Sequence, residues 1–446
     1  MITVLAHGLV QRSSLPIPEW LFGWAAAIVL CISFVALAAL WPRPRLEHPG
    51  WRPLPGGRAL GSRAIEIAGG AIGVAILALV LVAGYAGPPT PLDNFAPTFV
   101  FIVFWVGLVF ASVLLGDVFR LFNPWRAIGR VAFRRRKPRA YPQALGRWPA
   151  AIGLLVFTWI ELASGWGEHP ATLATAVAGY SAVTLAAMAV YGVEPWERRG
   201  EAFSVYFNLF SRMSVFETRD RVLGVRPLLG GLPRLDPIAG TVALVAVMIG
   251  TVTFDGLSQG QVWRDLAVQL NDGLARLGVG IETTPKLVAT IGLLVGVAIA
   301  GGFYALGIEG ARSVGGDHDA EELRLRFVHT LVPIAMVYVA AHYLTFLLFE
   351  GQSILSLASD PLGEGWNLFG TASGGIDYGL LSQNAAWYLQ VGFVVLGHVA
   401  ALVLAHDRAL ALYPDAKLAV RSQYWMLAIM VGFTSLALWL LAQAGG

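Results

Sequence analysis

Ten apolar blocks, each 18 to 23 residues long, constrain this 446-residue chain more than any other feature. A helix rises 1.5 Å per residue, so about 20 apolar residues cross the ~30 Å hydrocarbon core of a bilayer. The blocks are Trp20–Leu40, Ile67–Ala86, Phe95–Leu115, Trp148–Gly165, Pro170–Tyr191, Pro237–Phe254, Leu287–Ile308, Phe327–Phe349, Ala386–Ala405 and Gln423–Ala442. Charged residues are 13% of the chain, about half the roughly 25% of a soluble globular protein. The expected fold is all-α: a polytopic transmembrane helix bundle of about ten spans, forming a single membrane domain over residues 1–446.

The loops set an orientation. Those after the first, third, fifth, seventh and ninth blocks hold 27 of the 31 Lys and Arg. The other side holds Arg12, Arg264, Arg276 and Lys286. Cytoplasmic loops concentrate positive charge, so the first set is expected inside and both chain ends outside a bacterial plasma (inner) membrane. The same placement explains the net charge of +3 without a nucleic-acid partner. The N-terminus lacks the basic start, short apolar core and cleavage site of a secretory signal, so the mature chain is expected to begin near Met1. The sole cysteine, Cys31, lies in the first block and reads as a small apolar residue that cannot form an intramolecular disulfide.

Other details fit a packed bundle. Trp20, Trp41, Trp148, Trp387, Trp425 and Trp439 fall near block ends, where amphipathic rings prefer the interface. Gly69 with Gly73, and Gly292, Gly296 and Ala300, follow the small-xxx-small spacing that lets backbones approach closely. Glu201–Glu217 is too short and mixed to span, and its phenylalanines predict a cytoplasmic interfacial helix with Glu201 and Arg212 wet. Glu350–Ala385 has no Lys or Arg and is rich in Gly and Ser. Long loops are often functional, and Trp366, Phe369 and Tyr378 suggest an outer cap packed on the bundle. A faint echo joins Phe122-Asn123-Pro124-Trp125-Arg126 after the third block to Val193-Glu194-Pro195-Trp196-Glu197 after the fifth.

No HExxH, GxxxxGK[ST] or GxSxG signature is present. Chemistry therefore rests on ionisable residues at membrane depth, where each is expensive and asks for a reason. In the eighth block Tyr338, His342 and Thr345 share one helical face, and Pro333 frees the carbonyl of His329. Glu161 lies about one turn below the outer surface, His398 is in the ninth block, and Asp255, His169 and Glu350 are placed at the outer rim. Depth at 1.5 Å per residue separates His342 from His398, which disfavours haem. His342, Glu161 and His7 could converge in the outer half, with His398 as a deeper floor. Two histidines and a carboxylate suit a divalent metal such as zinc or copper. Glu161 is the candidate catalytic residue, His342, His398 and His7 are candidate metal ligands, and Tyr338 and Thr345 would line the cavity. A packing histidine hydrogen-bonded to its surroundings is the plainer alternative at each position.

The stretches LAHGLVQRSSLPIPEWLFGWAA, GDVFRLFNPWRAIGR, GEAFSVYFNLFSRMS, AAHYLTFLLFEGQ and DPLGEGWNLFGTA resemble a family of bacterial multi-pass membrane proteins, common in actinobacteria, known as membrane-bound fenitrothion hydrolase or its large subunit. The resemblance covers most of the chain. It implies hydrolysis of an organophosphate triester at a membrane-embedded site, with a second membrane subunit as partner. The family pattern sets a histidine next to the tyrosine of the eighth block, where this chain has Val339. Three readings stay open: a membrane hydrolase using a metal near His342, a transporter or channel with a polar path, and a non-catalytic subunit or assembly factor. Transporters more often show an inverted repeat and broken spans, and the echo seen here is parallel.

Overall fold

The computed structural model describes residues 19–315 and 318–444; His7 lies outside the described residues. Among these, nine helices are long and apolar enough to cross a membrane. We label α1 Glu19–Leu40, α2 Arg63–Ala86, α3 Phe95–Leu115, α4 Trp148–Leu162 and α5 Pro170–Tyr191. A short helix, α6, covers Ala202–Ser211, and α7 covers Thr241–Ser258. After them come α8 Gln261–Arg276, α9 Thr284–Arg312, α10 Ala320–Leu348, α11 Gln383–Leu412 and α12 Tyr424–Ala444. The helix α12 stands where the tenth span was expected. The protein is thus an all-α, multi-pass membrane bundle.

At the centre stands α10, in which every residue from Val332 to Phe346 is buried. It packs against α7, α11 and the N-terminal part of α3. A helix apolar on all sides has no wet face to place outward, so it belongs in the middle of a bundle. Its neighbour α7 is held by α9 at a crossing of glycines. A Cβ on Gly250 would stand 2.4 Å from the Cα of Val297, and one on Gly296 would stand 2.7 Å from the Gly250 carbonyl oxygen. Backbone contact of this kind is how membrane helices associate without a hydrophobic drive. Gly73 acts differently from the expected span-to-span contact: its Cα faces the Phe122 carbonyl in the turn below α3, with no room for a Cβ.

Two departures from α geometry matter. Thr98–Gly107 within α3 is π-helical, a form usually limited to single turns at functional sites. Val328–Leu331 within α10 is a 3₁₀ turn that leads into Pro333.

The segment expected on the membrane surface is enclosed instead. Helix α6 buries Phe203, Tyr206, Phe207, Leu209 and Phe210 against α3, α4 and α10. Glu201, expected wet, is fully buried. It caps the helix by accepting from the Phe203 and Ser204 amides at 3.0 and 2.7 Å, and from the Tyr180 hydroxyl. A carboxylate on the orphan amides of a helix N-terminus satisfies them and opposes the dipole, which makes its burial tolerable. The helix ends at Ser211. A hairpin follows, β2 Phe216–Arg219 and β3 Val222–Val225, and β3 also pairs with β1, Arg52–Pro53. Asp220 and Arg221 take positive φ at its two-residue turn, as the strand twist requires.

The loop 350–385 packs on the bundle only in its first part. Ile354, Leu357, Ala358 and Leu362 cover the N-terminal end of α3. Trp366, Phe369 and Tyr378, expected to be tucked in, are exposed. The two echoed turns do meet. Each follows a glycine at φ 89°, Gly116 and Gly192. Arg126 then bonds Glu197 at 2.9 Å and Arg130 bonds Glu194 at 2.6 Å, with Glu66 of α2 tied to both arginines.

Candidate functional site

Asp255 organises the site. The sequence placed it at the outer rim, one residue beyond the block 237–254. The helix α7 instead runs on to Ser258, so Asp255 stays inside and is 1% exposed. Its Oδ2 accepts from Nε2 of His342 at 2.8 Å and from the Tyr343 hydroxyl at 2.7 Å. Donors on consecutive residues of α10 thus converge on one carboxylate oxygen. His342 stands against Gly256: a Cβ there would lie 3.8 Å from Nδ1, at ordinary contact distance.

Glu161, near the end of α4, is half-buried as a residue, but its Oε2 is enclosed and has no hydrogen-bond partner. Among the described residues, Asp255 is the charged group whose field reaches it. Asp255 Oδ1 and the Tyr206 hydroxyl are likewise enclosed without partners. Tyr206 of α6 feels the charge of Glu161, and Tyr343 feels both carboxylates. The Tyr206 ring is stacked on Trp105 of the π-helical segment, centroids 4.7 Å apart. Helices α7 and α10 therefore join Asp255, His342 and Tyr343 within an apolar bundle, with Glu161 of α4 and Tyr206 of α6 in electrostatic range.

The remaining expected residues lie apart from this centre. Tyr338, one turn inward on α10, has an unpartnered hydroxyl, and its ring faces His398 of α11 and Phe433 of α12, each at 6.3 Å. Nδ1 of His398 donates to the Val394 carbonyl at 2.7 Å, and its Nε2 is enclosed without a partner. Thr345 is fully buried with an unpartnered hydroxyl. His406 is bound at both nitrogens, by Gln423 and the Trp41 carbonyl, and ties α11 to the C-terminal end of α1 and the N-terminal end of α12.

The expected ligand His7 lies outside the described residues. Among the described residues no three His, Cys, Asp or Glu converge on a point where a metal could sit. Nε2 of His342 is turned to Asp255, whereas structural and catalytic zinc sites need at least three protein ligands. Asp255, Tyr343 and Tyr206 were missed as site residues. Asp255 had a signal, since it is a carboxylate directly abutting the apolar block 237–254. The tyrosines had none, because an aromatic ring in a span reads as packing. Compared with known protein families, curated proteins and solved structures, the chain gives no match.

Proposed function

We propose that the protein is a membrane transport protein that binds a proton at Glu161 and Asp255, in a bacterial plasma membrane with both chain ends outside. One observation carries this reading. Two carboxylates share an electrostatic neighbourhood, each has an enclosed oxygen without a partner, and neither is paired with Lys or Arg among the described residues. A carboxylate with no Lys or Arg partner in an apolar interior is neutralised by a proton, because an isolated ion there costs far more than a protonated carboxyl. Intramembrane carboxylates of this kind are how proton relays in pumps and transporters are built.

The buried short helix α6 and the π-helical part of α3 support the same reading. Irregular or discontinuous helices at membrane depth are tolerated where they line a transport site. The experiment is infrared difference spectroscopy on the reconstituted protein during a pH step, together with proton flux into dye-loaded liposomes. A protonated-carboxyl band should vanish in Glu161→Gln or Asp255→Asn, and flux should fall in both. An unchanged band in both variants, with flux equal to that of protein-free liposomes, would sink the proposal.

A second reading rests on the His342–Asp255 bond. A carboxylate that orients an imidazole and stabilises its charged form is the arrangement of a general base. This fits the hydrolysis of a phosphotriester implied by the resemblance, with the second membrane subunit as partner. Release of nitrophenol from a nitrophenyl phosphotriester, lost in His342→Gln, would favour this reading over transport.

A further inference from the structure

Four arginines gather beyond the inner ends of α4, α6 and α7 and outside the polar centre, Arg147 distant in sequence from the other three. Arg147 precedes α4 and is 4% exposed; Arg226 follows β3 and is 8% exposed. Arg212 follows α6, and Arg234 lies in the loop before α7. Arg212 is within charge range of Arg147 on one side and of Arg234 and Arg226 on the other. Like charges crowd here instead of dispersing.

The counter-charges fall short. Glu217 bonds Arg234 through both oxygens, at 2.7 and 2.8 Å, and Arg226 at 3.2 Å. Asp236 acts on Arg147 and Arg212, and Asp117 acts on Arg212 from the edge of the cluster. Three carboxylates against four guanidiniums leave positive charge uncompensated. Carbonyl oxygens supply part of the remainder. Arg226 donates to Ser214 and Ser211, and Arg212 donates to Gly231 and Arg234. Two donors are left over: the Nε atoms of Arg147 and Arg234 are enclosed and have no partner. The loop that carries Arg226 and Arg234 is specially shaped. Leu229 takes φ 63°, and a Cβ on Gly231 would stand 2.4 Å from the Arg226 guanidinium carbon.

We propose that this cluster is a binding site for a phosphate-type oxyanion, a phosphate monoester or the diester of a lipid headgroup. Guanidinium forks match phosphate oxygens in geometry and charge. Burial makes each unpaired N–H donor costly until an anion accepts from it. The cluster sits among the arginine-rich loops expected on the cytoplasmic face, where anionic headgroups are concentrated. The proposal does not depend on what the Asp255 centre does.

The test is thermal unfolding of the full-length protein in a neutral detergent, followed by tryptophan fluorescence. One arm adds sodium phosphate against sodium chloride of equal ionic strength. The other adds dioctanoyl phosphatidylglycerol against dioctanoyl phosphatidylcholine. Either phosphate or phosphatidylglycerol should raise Tm above its control. A response to phosphate identifies a soluble ligand, and a response to phosphatidylglycerol alone identifies a headgroup. In Arg234→Gln, a partly exposed position, the half-effect concentration should rise roughly tenfold, the loss of one charge-assisted contact. Arg147→Lys keeps the charge but removes the fork, and should weaken the response if Arg147→Gln does not accumulate. Equal Tm in both arms and their controls would overturn the site, as would a wild-type response in both Arg234→Gln and Arg147→Lys.

Discussion

Nε2 of His342 stands 2.8 Å from Oδ2 of Asp255, a residue 87 positions earlier in the chain. The bond joins α7 to α10 where both are buried, and Asp255 is the hydrogen-bond partner of the His342 Nε2. In an apolar surrounding that makes the two energetically coupled. Removing Asp255 leaves Nε2 of His342 buried and unpaired, at a cost of about 1–3 kcal/mol, whereas removing His342 leaves Asp255 held by the Tyr343 hydroxyl.

A double-mutant cycle of His342→Gln and Asp255→Asn should therefore be non-additive, with a coupling of about 0.5–3 kcal/mol. Unfolding in mixed micelles measures it. Additive effects would mean that the bond does not hold the two helices.

Gly250→Ala should destabilise the protein by about 1–3 kcal/mol through overpacking, because its Cβ would meet the Val297 backbone at 2.4 Å. Gly256→Ala, whose Cβ would meet nothing nearer than 3.8 Å, should leave the unfolding midpoint almost unchanged. The same unfolding assay compares the two, and equal effects would refute the close crossing of α7 and α9.

Phe207→Ala should cost about 3–5 kcal/mol, as for other fully enclosed phenylalanines, since Phe207 has no exposed surface. Phe369→Ala in the outer loop, where the ring is 71% exposed, should cost little. Membrane yield and detergent half-life of the two variants check whether α6 is core or surface.

Glu217 gives a pH dependence. Burial raises its carboxyl, but the hydrogen bonds from Arg219 and Arg234 and the charge of Arg226 outweigh it and hold the group below its usual 4.5. A carboxyl lowered on folding contributes stability that is full above about pH 4.5 and lost as pH falls through the folded value. Glu217→Gln should flatten the acid limb of a stability–pH curve and lower stability near neutrality. A parallel curve would show that Glu217 carries none of the acid sensitivity.

Orientation is open to a direct check in a Cys31→Ser background. A cysteine replacing Gly374 should react with an impermeant reagent in intact cells, and one replacing Arg135 should not. The reverse pattern would place both chain ends inside.

The sequence alone was enough for what depends on solvent. Where the chain must leave water is written in the length and apolarity of its blocks, and the Lys and Arg of the loops set the expectation for which of them stay inside. Both follow from transfer energies that add residue by residue, so the expected blocks and the nine apolar helices agree closely. What tertiary structure decided depends on facing surfaces. Asp255 looked like a rim residue because hydropathy stops counting at the first charge, whereas the helix continues while its carboxylate finds His342 and Tyr343. Helix α6 looked interfacial because its composition is mixed, yet Glu201 satisfies its N-terminus and lets it be enclosed. His342 and Tyr338 share a helical face in sequence, but in a helix surrounded on all sides one meets α7 and the other meets α11 and α12. Pairing of this kind is set by which helices become neighbours, and no local pattern in the chain encodes that.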